Sequence, residues 1–197
     1  GQMQTLIATN IGRKSWSEWM EYVEGGDDEL PQIIAIDSVF DSPPPLAPEL
    51  IKGLVRRGHK MLVSGPSKSG KSFFLIELAI AVSEGLPFLG FKTAQGKVLY
   101  INLEIDGPSC YNRFMNIYKA LNIRKPKKDC LHIWNLRGKA IPLDKLVPKL
   151  TRRAKGEKYD AVIIDPIYKV ITGDENNASE MAAFCNQFDR ICDETGA

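Results

Sequence analysis

The octapeptide Gly65-Pro66-Ser67-Lys68-Ser69-Gly70-Lys71-Ser72 constrains this chain more than any other feature. It satisfies the spacing G-x-x-x-x-G-K-[ST]. Its four fixed positions coincide by chance at about 1 start in 25,000 for average composition. Glycines let the backbone turn so that successive N–H groups point into one concavity, which suits phosphate oxygens. The apolar helix read from Ser72 to Glu84 aims its positive end at the same place. Lys71 has the reach to serve β- and γ-phosphates as a point charge, and the Ser72 hydroxyl suits Mg²⁺. These eight residues predict a site for a nucleoside triphosphate, read as ATP with Mg²⁺.

The surroundings read as alternating strands and helices. Lys60–Ser64 is a short apolar strand leading into the loop, and Gly85 stands where a glycine caps the helix that follows. Strands are expected at Val98–Leu103, Leu131–Asn135 and Ala161–Asp165, with helices at Tyr111–Leu121 and Leu143–Ala154, the latter containing Pro148. Met181, Phe184, Cys185, Phe188, Ile191 and Cys192 recur at helical spacing before Gly196. The continuous apolar run of Ala161–Asp165 is typical of a parallel strand covered on both faces. The expected fold is therefore α/β, a mostly parallel sheet flanked by helices.

A Mg-nucleotide site needs a carboxylate to orient the metal and another to polarise the attacking water. Val162-Ile163-Ile164-Asp165 delivers an acid at the carboxyl end of a strand, where α/β sheets place their ligands. Asp165 is the expected metal residue, together with Ser72. Val98 to Glu104 has the same form, so Glu104 is the expected catalytic base, working with Lys71, and Asp106 is its rival.

Residues 1–47 read as an extension. Ser15-Trp16-Ser17-Glu18 has capping-box spacing ahead of Trp16, Trp19, Met20 and Val23, and Asp41-Ser42-Pro43-Pro44-Pro45 is a stiff linker. Gly1 and Gln2 before Met3 read as a remnant of expression. The core domain is expected over 48–197. Residues 1–50 carry 2 basic and 9 acidic side chains, whereas 113–158 carry 14 basic and 3 acidic. The basic block is either a surface for nucleic acid or another polyanion, or a solvated face. The longest apolar stretch, Phe73–Val82, is broken by Glu77 and too short for a membrane span. Four cysteines form no C-x-x-C pair, and His59 and His132 complete no zinc spacing. Buried thiols in a reducing, cytoplasmic setting are the expectation.

The chain resembles the RecA-like P-loop ATPases, and among them the RepA-type and DnaB-type replicative helicases of plasmids, phages and bacteria. The resemblance runs from about Leu46 to Ala197. It rests on the phosphate loop, on the lead-in Glu49–Val55, on Gly85–Gly90 followed by Gly96–Tyr100, and on Asp165–Tyr168 with Gly173–Asn176. It implies that the catalytic glutamate follows the second strand, at Glu104. It also implies that Arg113 lies near the nucleotide, although a plain surface role is equally compatible with the sequence. A core of this kind continues past its last helix into another strand with a sensor residue, and then to DNA-facing loops and an arginine finger. Since the chain stops at Thr195-Gly196-Ala197, the expectation is an incomplete core.

The implied function is an ATP-hydrolysing motor acting on single-stranded DNA as a homo-oligomer, a hexameric ring with ATP between subunits. The alternative is a RecA-like regulatory or recombinase-like protein that does not unwind DNA. A small-molecule kinase fits less well, because Glu104–Pro108 offers no arginine before Arg113.

Overall fold

The computed structural model describes residues 33–197 except Ala140, Lys155 and 172–177. The capping box near Ser15, its apolar stripe and the Gly173–Asn176 loop lie outside the described residues, as does the Met181 side chain. The chain divides into two compact units, 1–45 and 46–197. In the first unit a short helix, α1, spans Ile36–Phe40, and the Ser38 hydroxyl donates to the Ala35 carbonyl oxygen.

The second unit opens with an antiparallel hairpin, β1 (Glu49–Ile51) and β2 (Val55–Arg56), turning through Gly53. The resembled lead-in is thus a hairpin whose Leu50 and Ile51 join the apolar cluster around the next helix. Then come α2 (Lys71–Glu84), β3 (Val98–Asn102), α3 (Gly107–Ala120), β4 (Leu131–Asn135), α4 (Leu143–Ala154), β5 (Ala161–Asp165), a 3₁₀ turn at Ile167–Lys169 and α5 (Ala178–Thr195). The three strands β3, β4 and β5 pair in parallel in the order β4-β3-β5. Sheet and flanking helices agree with the α/β expectation.

Each face of this sheet is apolar. Val98, Tyr100 and Ile163 point toward α2 and α3, while Leu99, Ile101 and Ile164 point toward α4 and α5. β3 is buried along its whole length, which explains its unbroken apolar run. α4 follows a clean stripe, burying Leu143, Leu146, Val147, Leu150 and Ala154, with Pro148 on its exposed side.

Two expectations fail. Lys60–Ser64 is not a strand: no described segment pairs with it, and Met61 and Leu62 are 45% and 72% exposed. An apolar run becomes a strand only when a neighbour takes its backbone groups, and that condition is not local. Cys185 is exposed rather than on the apolar face of α5, while Cys110 is buried; all four cysteines are free. The helix expected from Tyr111 begins earlier, at Gly107, because Asp106 caps it. None of the described helices is long and apolar enough to cross a membrane.

α2 runs antiparallel to the sheet. Its carboxyl end is tied to the amino end of β3, since Gly96 N donates to the Val82 carbonyl oxygen at 3.0 Å and Gly85, at φ 70°, closes the helix. At about 1.5 Å per residue its 14 residues match the strand length and more, so Lys71 and Ser72 lie toward the carboxyl ends of the strands. The opposite end is fastened by charge. Lys97 Nζ donates to Asp129 Oδ2 at 2.8 Å and to Glu157 Oε2 at 2.5 Å, joining the segments that lead into all three strands. His132 adds a bond to Asp129, and the carboxylates of Asp129 and Glu157 with this ring bring three ligand-type atoms within 4.8 Å of one another.

Asp160 occupies the tightest point of that end. Its Oδ2 accepts from Lys97 N at 2.6 Å and its Oδ1 pairs with Arg57 at 2.8 Å. A Cβ on Gly96 would sit 2.6 Å from Asp160 Cβ. Gly96→Ala is expected to destabilise the domain by about 1–3 kcal/mol through forced displacement, seen as a lower urea midpoint with an unchanged slope; a parental midpoint would refute the close approach.

Candidate functional site

Three segments converge on the carboxyl end of the sheet. The first is the glycine-rich loop. Lys68 and Gly70 adopt positive φ of 63° and 86°, and Gly70 stands directly before α2. A left-handed residue there turns the N–H groups of the loop and first helical turn the same way. No side chain caps α2 and no acid occupies its first turn. The first N–H of this end to find a backbone acceptor is that of Phe74, which donates to the Gly70 carbonyl oxygen. The N–H groups of Lys71, Ser72 and Phe73 bond to no described backbone acceptor. Orphan donors at a helix start, on a loop whose residues 64–70 are exposed, are a ready receptor for an anion.

Lys71 Nζ rests on the loop itself, donating to the carbonyl oxygens of Gly65 and Pro66, both at 2.7 Å. Gly65 has little room for a side chain, since a Cβ would meet Ser69 Oγ at 3.1 Å. Ser67 and Lys68 lie at the exposed tip, where Ser69 N donates to Pro66 O. The ammonium is positioned by its own loop and is free to exchange two neutral acceptors for charged oxygens.

The second and third segments are the ends of β3 and β5. Parallel register sets Asn102 opposite Asp165, and Leu103 N donates to the Asp165 carbonyl oxygen at 2.9 Å. Glu104 therefore emerges beside Asp165. Asp165 is 9% exposed, and its Oδ2 accepts from the Tyr100 hydroxyl at 2.5 Å. Burial, then the neighbouring Asp165 charge, pushes the Tyr100 hydroxyl well above its ordinary range. Glu104 is exposed and its Oε1 accepts from the Tyr168 hydroxyl at 3.1 Å.

Asn102 holds the turn beneath Glu104. Its Oδ1 accepts from the N–H groups of Glu104 and Ile105 at 3.3 and 3.2 Å, and its Nδ2 donates to Ile105 O at 2.7 Å and Asn135 Oδ1 at 2.8 Å. Every bonding position of this buried amide is used. Asn135 in turn donates to the Tyr111 hydroxyl at 2.9 Å. Sequence reasoning missed this chain of polar groups. The available signal was that VLYIN and LHIWN, two apolar strands, both end in asparagine.

Asp106, the rival base, has another occupation. It is the N-cap of α3, its Oδ1 accepting from Ser109 N at 2.9 Å, with Arg137 at 3.7 Å from the other oxygen. The bond from Ser109 holds its carboxyl below the ordinary value. Arg113 lies with its guanidinium carbon 5.2 Å from the ring centroid of Phe73, the residue after Ser72, and its charge is felt at Tyr100 and Cys110. It thus packs against the first turn of α2, on the side where β3 carries Tyr100. The Cys110 thiol is buried, and burial pushes it up to about 11, away from the thiolate form.

The basic block does not form a single surface. Arg113 and Arg137 stand at this end of the sheet, and residues 124–128 precede β4 at the other. Lys145, Lys149, Arg152 and Arg153 lie on the exposed side of α4, on the sheet face away from α2.

Lys71, Ser72, Glu104, Asp165 and Arg113 are thus gathered at one end of one sheet. Orphan amides, an ammonium and a carboxylate with one oxygen uncommitted among the described residues fit a Mg-nucleotide chemically. A family model described as an AAA domain matches residues 29–197. A search of curated proteins finds no match to the chain.

The cap and base roles of Asp106 separate cleanly. A depressed folded-state pKa gives stability that is present above the unfolded value and lost as pH falls through the folded one. Asp106→Ala is expected to lower Tm by a few degrees at neutral pH, the deficit closing below the ordinary carboxylate range, while ATP turnover is retained. Lost turnover would return the base role to Asp106.

Proposed function

The chain belongs to the AAA domain family of P-loop ATPase-like proteins, and from that premise we propose that it binds and hydrolyses ATP as the RecA-like motor of a plasmid-, phage- or mobile-element-type replication protein. Its track is single-stranded DNA, and its working form is a homo-oligomeric, hexameric ring. One observation carries the ATPase part: the uncapped amino end of α2, with Lys71 and Ser72, lies at the same end of the sheet as Glu104 and Asp165 on neighbouring parallel strands.

The chemistry follows from these groups. The N–H groups of the loop and of Lys71 and Ser72 at the start of α2 donate to the phosphate oxygens of the substrate. Lys71 leaves the Gly65 and Pro66 carbonyl oxygens for anionic ones, and such charge-assisted bonds are roughly twice as strong. Ser72 and Asp165 are the groups that would hold Mg²⁺, which neutralises charge on the β- and γ-phosphates when bound. Glu104, its solvent-facing carboxylate hydrogen-bonded only to a phenol among the described residues, takes the proton of the attacking water. Arg113, against Phe73, lends positive charge to the phosphate side.

The DNA part draws support from the exposed basic side of α4, where Lys145, Lys149, Arg152 and Arg153 follow one another along the helix. Backbone phosphates bind such a face in a salt-dependent manner.

Lys71→Ala is expected to abolish ATP binding by calorimetry. Glu104→Gln is expected to leave binding intact and cut turnover about 10²-fold or more. Hydrolysis of Mg-ATP should rise with single-stranded DNA and lose that stimulation as salt increases. Bound ATP with no response to DNA would remove the DNA motor and leave a nucleotide-dependent regulator.

A further inference from the structure

Tyr100 stands in the middle strand of the sheet and is 1% exposed. Its ring is fixed on one side by Phe114 of α3, edge-on with centroids 5.1 Å apart and planes at 90°. Phenylalanine would fill this slot equally well. The hydroxyl needs its own explanation, because burying an O–H costs free energy unless it is bonded.

Among the described residues its hydrogen-bond partner is Asp165 Oδ2, at 2.5 Å. The register makes this reach natural: Tyr100 pairs with Ile163, and Asp165 lies two residues on along the same face. The long side chain leans along the strand and ends under the carboxylate. That leaves Asp165 Oδ1 without a donor among the described residues. Among the described residues no lysine or arginine pairs with Asp165 either, whereas Asp129, Glu157 and Asp160 at the far end of the sheet all have cationic partners.

We propose that the Tyr100 hydroxyl is a positioning group for Mg²⁺, pinning Asp165 by one oxygen so that the other faces the phosphate loop as a pre-set acceptor for metal-bound water. This rests on the reading of Asp165 as the metal residue. Mg²⁺ demands near-ideal octahedral geometry and keeps several waters. A carboxylate free to rotate meets that demand only part of the time. A pinned one meets it always, and among the described residues no cation is in an ion pair with it. The hydroxyl does not touch substrate or metal and acts only through Asp165.

Tyr100→Phe isolates the hydroxyl, keeping ring and packing. The experiment titrates Mg²⁺ against the protein with a fluorescent, non-hydrolysable ATP analogue. Parent protein, Tyr100→Phe, Asp165→Asn and the double variant are compared. Supporting groups around metal ligands are worth about 10–100-fold in affinity. The expected result for Tyr100→Phe is about a 10-fold rise in the Mg²⁺ concentration at half-saturation. Binding of the analogue without Mg²⁺ and the Tm should be nearly unchanged. In the Asp165→Asn background the second substitution should add nothing. An unchanged or lowered Mg²⁺ requirement in Tyr100→Phe overturns the proposal, as does an equal effect in both backgrounds. If the parent protein itself shows no Mg²⁺-dependent binding, the metal reading of Asp165 falls, and this inference with it.

Discussion

The parallel pairing of β3 with β5 is the constraint on which the rest of the site depends. It sets Asn102 opposite Asp165 and brings Glu104 out beside it. Side chains alternate strictly along a strand, so slipping one strand by one residue would exchange its two faces. A slip of β3 would turn Tyr100 toward α4 and α5, and a slip of β5 would take the Asp165 carboxylate off the face that carries α2. The apolar residues prevent such a slip. Val98, Tyr100 and Ile163 fill one side and Leu99, Ile101 and Ile164 the other, so core packing and site geometry are settled by the same register.

The site combines rigid and loose parts. Asp165 is held by a buried phenol, and the turn that carries Glu104 is held by a buried asparagine with all its bonds made. Polar networks of this kind are costly when incomplete and stiffening when complete. The loop side differs. Lys71 rests on two carbonyl oxygens of its own loop, and the amides of Lys71, Ser72 and Phe73 have no acceptor among the described backbone groups. Strands thus fix the carboxylates in advance, while the cationic loop is left to close on an anion.

Most of this architecture was legible because its signals are local. The spacing of the loop, the apolar runs of β3, β4 and β5, and the stripe on α4 each follow from side chains within one segment. What was not legible depends on distant partners. Lys60–Ser64 has the composition of a strand, but the described structure gives it no neighbour to pair with. Gly107-Pro108 looks like a break before a helix at Tyr111; with Asp106 as cap it is instead the first turn, where proline costs nothing. Cys185 follows the helical period of α5 yet is exposed, since periodicity gives a face and not the depth of its edge. The Tyr100–Asp165 and Asn102–Asn135 bonds were invisible for the same reason: they depend on strand order, which a single sequence does not display.

The two ends of the sheet are held by different forces, and the contrast bears on function. At the amino ends of the strands, carboxylates meet cations: Asp129 and Glu157 share Lys97, and Asp160 pairs with Arg57. Such partly exposed pairs add little stability each, and they leave that end electrically closed. At the carboxyl ends, Asp165 and Glu104 meet tyrosine hydroxyls instead. A phenol satisfies one oxygen and fixes direction without cancelling charge. Replacing either phenol by arginine would strengthen the pair and leave less negative charge for an external cation. If this end receives a metal, as proposed above, the weaker partner is the better one, because a phenol orients each carboxylate and leaves its charge in place.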